Sequence, residues 1–271
     1  VKFASGGAAS ATDATTIVVE NVAPTATFGN DGPVNEGSSF SLSLTDPHDP
    51  SAADLAALEY AFDCGDGGGY GPFGSANSAT CPTNDSGTRN VKGKVRDDDG
   101  GVTEYTDSVT VNNVAPTATF GNNGPVDEGS SFTLDLTAPF DPSTIDAASL
   151  EYAFDCGDGS GYGPFGSANS ATCSTTDDGT RNVKGKVRDK DGGETEYTDS
   201  VTVNNVAPTI ALSGDANVDE GSTYELTLGA VTDPGDDTVT QYIVDWGDGN
   251  TDVYSTGGPV THIYDDGPST P

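Results

Sequence analysis

The stretch Tyr60-Ala61-Phe62-Asp63-Cys64-Gly65-Asp66-Gly67 decides the fold class. It alternates bulky with smaller or polar side chains and then breaks into Gly-Asp-Gly, a pattern typical of a half-buried strand that ends in a tight turn. The stretch recurs unchanged at 152–159 and in altered form at 242–249, where Trp246 replaces the cysteine. Three copies of one strand-turn unit predict three copies of one domain.

The spacing of the copies sets the size of that domain. Pro24, Pro116 and Pro208 follow one another at intervals of 92 residues, and Cys64 and Cys156 are separated by the same interval. This period is too long for a solenoid repeat and fits a bead-like domain of about 100 residues. The regular return of aromatic, Val and Leu positions indicates a folded all-β chain rather than a disordered one.

Several motifs around these strands together resemble one family. The string Tyr-x-Phe-Asp-x-Gly-Asp-Gly is followed by Arg96-Asp97-Asp98-Asp99-Gly100-Gly101 in the first copy, by His262-Ile263-Tyr264 in the third, and by Asn-Val-Ala-Pro-Thr linkers. This set is similar to the PKD domain family, whose members are immunoglobulin-like β-sandwiches in bacterial and archaeal surface and secreted proteins. The resemblance implies tandem PKD-like β-sandwich domains strung end to end, located at the cell surface or outside a prokaryotic cell. Because such domains serve as spacers or accessory modules, the resemblance supplies no activity.

Charge and histidine content exclude several functional classes. The net charge of −33 argues against nucleic acid and anionic membranes as partners. It is compatible with surface solubility, calcium binding or adaptation to high salt. No apolar run approaches the roughly 18 residues of a membrane span, so we expect no membrane insertion. The two histidines, His48 and His262, occupy unrelated positions, and no catalytic triad, phosphate loop or zinc motif is present, so we expect no enzyme.

The four cysteines form two equivalent pairs. Aligned on the resemblance, the PKD-like Trp and His positions of the third copy, Trp246 and His262, correspond to Cys64 and Cys81. If those two positions meet inside the sandwich, a disulfide bond can form there, and the alternative is buried free thiols. We predict two disulfides, which would indicate an oxidising, extracytoplasmic compartment. The predicted pairs are Cys64–Cys81 and Cys156–Cys173.

The two ends of the sequence complement each other. Thr16, Ile17, Val18 and Val19 match the last strand of a complete copy, whereas the third copy stops before its last two strands. We therefore expect four segments: 1–20, the last two strands for the third domain of a neighbouring copy; 21–112 and 113–204, complete domains; and 205–271, an incomplete third domain.

Strand addition between copies predicts a fibre. An incomplete sandwich exposes unpaired backbone and core, and head-to-tail completion by a neighbour does not close on itself. We therefore expect the chain to be a structural repeat unit of an extracellular filament or surface stalk, with copies of itself as partners. A covalent tandem array would give the same fibre, and a segment truncated at both ends would give none.

Calcium is the ligand that the acidic turns favour most. Calcium requires several oxygen ligands, and the resemblance implies sites near such turns, although carboxylates that cap their own turns explain the pattern equally well. The candidate ligands are Glu36, Asp46, Asp49, Asp97, Asp99, Glu128, Asp141, Asp189, Asp191, Glu220, Asp233 and Asp236.

The alternative function is an adhesin or carbohydrate-binding module of a secreted protein. Its contact loops would be glycine-rich segments that carry Tyr70 and Phe73 in the first domain and Tyr162 and Phe165 in the second. These rings could instead fold back onto their own domain and cover the disulfide. Asn84, in Asn-Asp-Ser, is a lone candidate for glycosylation.

Overall fold

The computed structural model describes residues 17–266, so Thr16 and the rest of the segment 1–16 lie outside the described residues. The described chain is almost entirely β-structure. It divides into two compact units, the first formed by 17–114 with Pro142–Ile145 and the second by 115–141 with 146–266. The sandwich fold that the sequence predicted is therefore confirmed.

The first domain is a sandwich of a three-stranded and a four-stranded sheet. The strand order is β1-β3-β5 in one sheet and β2-β7-β6-β4 in the other, and only β2 and β7 pair in parallel. Its elements are β1 Thr25–Asn30, β2 Val34–Asn35, β3 Ser39–His48, α1 Ala52–Leu55, β4 Glu59–Asp63, β5 Ser78–Pro82, β6 Gly87–Arg96 and β7 Val102–Asn112.

The second domain repeats this topology, with sheets β12-β10-β8 and β11-β13-β14-β9. Corresponding strands have the same lengths, as the near-identical sequences require. Its elements are β8 Thr117–Asn122, β9 Val126–Asp127, β10 Ser131–Phe140, α2 Thr144–Ala147, β11 Glu151–Asp155, β12 Ser170–Ser174, β13 Gly179–Arg188 and β14 Glu194–Asn204.

Period-two alternation builds the core between the sheets. On β3, Phe40, Leu42 and Leu44 are at most 1% exposed while the serines between them point away. Phe40 and Leu42 pack with Val91 of β6 and Val109 of β7 from the opposite sheet, and Leu44 packs with Val95 of β6. The last two strands of a complete domain therefore supply four of its eleven buried apolar residues.

The third domain retains the first sheet and only part of the second. Within 205–266, the strands form one sheet of order β15-β16-β19 and a separate pair β17-β18. In this described part of the domain, no counterpart of β6 or β7 is present. Its elements are β15 Thr209–Gly214, β16 Thr223–Thr232, β17 Tyr242–Asp245, β18 Thr251–Tyr254 and β19 Gly258–Ile263.

Candidate functional site

The predicted cysteine pairs are bonded in both complete domains. Cys64 is joined to Cys81 with a Cα–Cα distance of 5.5 Å, and Cys156 to Cys173 with 5.6 Å. Each bond connects the end of the strand-turn stretch to the opposite sheet, where Cys81 is paired with Phe40. The disulfides indicate an oxidising, extracytoplasmic compartment.

The third domain places two stacked rings where the other domains have a disulfide. His262 pairs with Tyr224, as Cys81 pairs with Phe40, so the predicted correspondence is correct. The rings of Trp246 and His262 stack with centroids 4.7 Å apart and an interplanar angle of 9°. His262 Nε2 lies 2.7 Å from Asp248 Oδ2, and the Trp246 Nε1–H group donates to Asp252 at 2.9 Å. Ring stacking and hydrogen bonding thus connect the two sheets without a covalent bond.

An apolar groove opens between the sheets of the third domain. Its volume is about 480 Å³, and its lining includes Leu212, Tyr224, Leu228, Tyr242 and Trp246. Leu212 is 58% exposed. The groove is the region that the last two strands occupy in a complete domain.

Register identifies which strands would cover the groove. Leu212 pairs with Leu228 just as Phe28 pairs with Leu44 in the first domain. There, Gly93 of β6 lies so close to Phe28 that an added Cβ would be 2.7 Å from the ring and 3.3 Å from Leu44. The groove surface around Leu212 and Leu228 therefore corresponds to the face that β6 covers in a complete domain.

One edge of the strand-turn stretch is also open in the third domain. The strand β4 pairs with β6, and β11 pairs with β13. Their counterpart β17 pairs with β18 alone among the described residues. Its second edge thus presents backbone groups to which another strand could add.

The segment predicted to supply the last of the two strands is exposed where it is described. Ile17, Val18 and Val19 lie outside any strand and are 82%, 77% and 89% exposed. Their sequence counterparts in β7, Val109 and Val111, are at most 2% exposed because they face the core. The role of the segment in strand complementation stays a prediction.

A cluster of buried carboxylates lies near the linker that enters the first domain. Asp49, Asp54 and Asp97 are at most 8% exposed, and one carboxylate oxygen of each lies within 4.8 Å of the others. Burial opposes ionisation of Asp97, but the Asn21 amide and backbone N–H groups of its own turn outweigh burial and lower its pKa. Burial, opposed by a bond from Ser51, raises the pKa of Asp54.

Other candidate ligands of the first two domains are distributed differently. Asp99 joins Asp54 and Asp98 in an overlapping group, whereas Asp46 is exposed and adopts a positive φ of 49°. In the second domain, Asp141 and Asp189 are buried at positions equivalent to Asp49 and Asp97.

The second domain supplies its own cation at this position. Lys190 replaces Asp98 of the first domain, and its Nζ lies 2.9 Å from Oδ1 of the fully buried Asp146. Lys190 Nζ also lies 2.5 Å from Asp191. Asp146 is the counterpart of Asp54 in the first domain. The Lys190 ammonium group therefore neutralises a carboxylate whose counterpart belongs to the acidic cluster of the first domain.

A second group of carboxylates surrounds Glu128, within the second unit. Glu128 forms one triad with Asp233 and Asp237 and another with Asp177 and Asp178, and the ligand oxygens of each triad lie within 4.8 Å of one another. Sequence analysis identified Glu128 and Asp233 but selected Asp236 instead of Asp237. It missed Asp177 and Asp178 because no motif connects residues so distant in the chain. Glu36 is 2% exposed, and Glu220 is exposed.

The aromatic loops fold back onto their own domains. The Lys94 ammonium lies 4.2 Å from the centroid of Tyr70, and the Arg96 guanidinium lies 4.0 Å from that of Phe73. The second domain repeats these contacts, with Lys186 over Tyr162 and Arg188 over Phe165. One face of each ring is therefore covered by a cationic side chain from β6 in the first domain or β13 in the second.

The carboxylates of the Gly-Asp-Gly turns and the glycosylation candidate Asn84 have local hydrogen-bonding roles. Asp66 and Asp158 each accept a backbone N–H bond from two residues ahead, as expected for a carboxylate that caps its own turn. Asn84 is exposed, and its Oδ1 accepts bonds from the backbone N–H and hydroxyl of Thr144. No helix in 17–266 has the length and apolar character that crossing a lipid bilayer requires.

Comparison with solved structures found several matches of low sequence identity. Solved structures similar to the chain include fibronectin(III)-like modules of CbhA from Clostridium thermocellum (15% identity, TM-score 0.28, 65% of this chain and 94% of that chain covered). A second match is the three N-terminal domains of the bacteriophage RB49 outer capsid protein Hoc (14% identity, TM-score 0.29, 85% of this chain and 78% of that chain covered). A third is the FN1-FN3 domains of chicken CNTN1 (11% identity, TM-score 0.29, 88% of this chain and 88% of that chain covered).

The remaining comparisons concern sequence. No curated protein matches the chain. The model of the PKD domain family matches residues 205–268, the part of the chain that contains the open groove and the Trp246–His262 stack. The third domain is therefore a PKD domain by sequence, as the resemblance predicted.

Proposed function

We propose that this chain is a non-enzymatic structural repeat unit of an extracellular filament or surface stalk. In this proposal, two strands equivalent to β6 and β7 complete the third domain. They come from residues 1–20 of a neighbouring copy or, in a covalent tandem array, from the chain of the next repeat. The observation that carries the proposal is the groove at Leu212 and Leu228, whose counterparts in a complete domain lie under β6.

Burial energetics support completion of the groove. An added strand would remove apolar surface of Leu212 and its neighbours from water, at roughly 25 cal/mol for each Å² buried. It would also pair the free edge of β17. Because the donor segment and the groove lie at opposite ends of the sequence, the contact is heterologous and extends without closing.

The mass of the native material under reducing and denaturing conditions separates the two forms of assembly. A species near 27.4 kDa would show separate subunits held by strand addition. A much larger species would show a covalent array. A 27.4 kDa species that is also monomeric without denaturant would overturn the filament proposal.

A pair of matched variants tests the strand addition itself. Ile17 and Val19 correspond to the core-facing Val109 and Val111, whereas Val18 corresponds to the outward-facing Thr110. We expect Ile17→Asp with Val19→Asp to abolish polymers in sedimentation and electron microscopy, and Val18→Asp to leave them intact. Equal polymerisation of both variants would exclude residues 16–19 as the donor strand.

The alternative of a carbohydrate-binding adhesin has less support, because cations of the same sheet cover one face of Tyr70 and Phe73. It predicts glycan binding that Tyr70→Ala or Phe73→Ala removes. A positive glycan array with the parent chain, lost in these variants, would favour the adhesin.

A further inference from the structure

The junction between the second and third domains brings carboxylates together from three separate segments. Glu128 follows β9, Asp177 and Asp178 precede β13, and Asp233 and Asp237 follow β16. Glu128 belongs both to a triad with Asp233 and Asp237 and to one with Asp177 and Asp178. It is therefore the residue on which the two groups converge.

Local contacts fix the Glu128 side chain and orient one oxygen into the cluster. Glu128 is 3% exposed, and its Oε1 accepts the N–H of Val206 in the interdomain linker at 2.7 Å. Its Oε2 is buried and has no hydrogen-bond partner among residues 17–266. A buried carboxylate oxygen in this state is costly unless a cation or proton satisfies it.

Asp233 is held in a similar way on the third domain. Its Oδ1 accepts the N–H of Gly235 at 2.8 Å, while its Oδ2 is buried and also has no partner in the described chain. The loop is attached to the second domain, because the Asp236 N–H donates to the Thr176 carbonyl at 2.7 Å. The two unsatisfied oxygens thus come from two domains that contact each other directly.

No positive side chain of the described residues neutralises this cluster. Glu128, Asp233, Asp237, Asp177 and Asp178 take part in none of the ion pairs found within 17–266. Burial, together with the charges on Asp233, Asp177 and Asp178, raises the pKa of Asp237. In the second domain, by contrast, Lys190 contacts the buried Asp146 directly.

The absence of a side chain at Gly235 leaves room for the Glu128 carboxylate, whose Oε2 has no hydrogen-bond partner in the described chain. A Cβ added at Gly235 would lie 2.4 Å from Glu128 Oε2 and 2.6 Å from its carboxyl carbon. Any side chain at this position would displace the carboxylate from the cluster.

We propose that Glu128, Asp233 and Asp237 bind one calcium ion at this junction, with Asp177 and Asp178 completing its shell directly or through water. Calcium fits the donor set because it accepts six to eight oxygens at variable geometry, whereas magnesium demands a near-ideal octahedron and retains its water. The carboxylates belong to two domains, so the ion ties the third domain to the second. The binding does not depend on strand complementation and would hold in a monomer.

Nuclear magnetic resonance of the full chain tests the site at individual residues. After removal of divalent ions with a chelator, calcium chloride is titrated while the amide signals of Val206, Gly235 and Asp237 are followed. We expect saturable shifts of these amides that chelator reverses. Glu128→Gln and Asp237→Asn should each weaken the affinity by at least about tenfold, in line with effects of altering a metal's ligand shells.

Two further variants separate binding from folding and from general charge. Gly235→Ala changes no charge and meets only the flexible end of Glu128, so it should fold normally and yet weaken calcium binding at least about tenfold. Glu225→Gln removes a charge from an exposed position of β16 and should bind as the parent does.

Three results would overturn the proposal. They are the absence of saturable shifts at Val206 and Gly235, parental affinity in both Glu128→Gln and Gly235→Ala, and a stronger response of these amides to magnesium than to calcium. Because all five carboxylates belong to one chain, a failure of filament assembly would not produce any of these results.

Discussion

The second and third domains show two ways to brace the same strand-turn stretch. In the second, Cys156 and Cys173 form a covalent bridge between the sheets. In the third, Trp246 and His262 occupy the equivalent positions and stack 4.7 Å apart, with His262 also contacting Asp248. The brace is thus retained in a domain whose described part lacks two strands. Both domains therefore connect their sheets at this point, one by a covalent bond and the other by stacked rings.

The largest expected effect comes from removing the covalent brace. Cys156→Ser with Cys173→Ser opens a bridge with a sequence separation of 17 and should lower the free energy of unfolding by about 3 kcal/mol in the chain-entropy model. Denaturant unfolding followed by circular dichroism should show a domain that unfolds earlier than in the parent.

The single tryptophan supplies an internal control for this experiment. Trp246 lies in the third domain, so its fluorescence reports unfolding there. We expect its transition to move much less than the circular dichroism transition. A shift confined to the fluorescence signal would contradict the prediction, because it would show that the disulfide stabilises the third domain and not the second.

Sequence predicted the parts of the molecule that repetition makes visible. The strand-turn stretch and its 92-residue period predicted the sandwiches, and Trp246 and His262 of the third copy identified the cysteine partners. These features could be found because each copy serves as a template for the others.

The junction cluster depends on contacts that no repeat reveals. Asp177 and Asp237 are far apart in the chain. The folding of the second domain brings Asp177 near Glu128, and the contact of the third domain with the second brings Asp237 near it. The choice between Asp236 and Asp237 depends on loop geometry, since the Asp236 backbone contacts Thr176 while the Asp237 carboxyl joins the cluster. Sequence could predict acidic turns there, but it could not identify which oxygens converge.

A smaller loss of stability is expected from overpacking the contact between β13 and the core of the second domain. An added Cβ at Gly185 of β13 would lie 2.7 Å from the Phe120 ring. Gly185→Ala should therefore lower the free energy of unfolding of the second domain by about 1–3 kcal/mol, the usual cost of overpacking.

The matched control for this variant is Gly121→Ala, whose Cβ would meet nothing within 4 Å and whose φ is not left-handed. It should leave the circular dichroism midpoint nearly unchanged. If both variants unfold alike, close packing of the penultimate strand does not stabilise a complete domain. By the same measure, a strand added over Leu212 would then not stabilise the third domain by close packing.

The smallest expected effect is the acid sensitivity of the non-covalent brace. The hydrogen bond from His262, supported by the Asn250 backbone N–H, lowers the pKa of Asp248 from 3.8 to about 2. Because the pKa is lower in the folded chain, the ionised carboxylate stabilises the third domain above pH 3.8, and this contribution is lost as the pH falls towards 2.

Substitution of the histidine should remove most of this pH dependence. In His262→Gln, the pKa of Asp248 should rise towards its ordinary value, since the bond that lowers it most is altered. The thermal midpoint of Trp246 fluorescence, measured between pH 5 and pH 2, should then depend less on pH than in the parent. His48→Gln, in an exposed position of the first domain, is the control and should retain the parental profile. Identical profiles in all three proteins would mean that the Asp248–His262 contact does not stabilise the brace, leaving ring stacking as its main support.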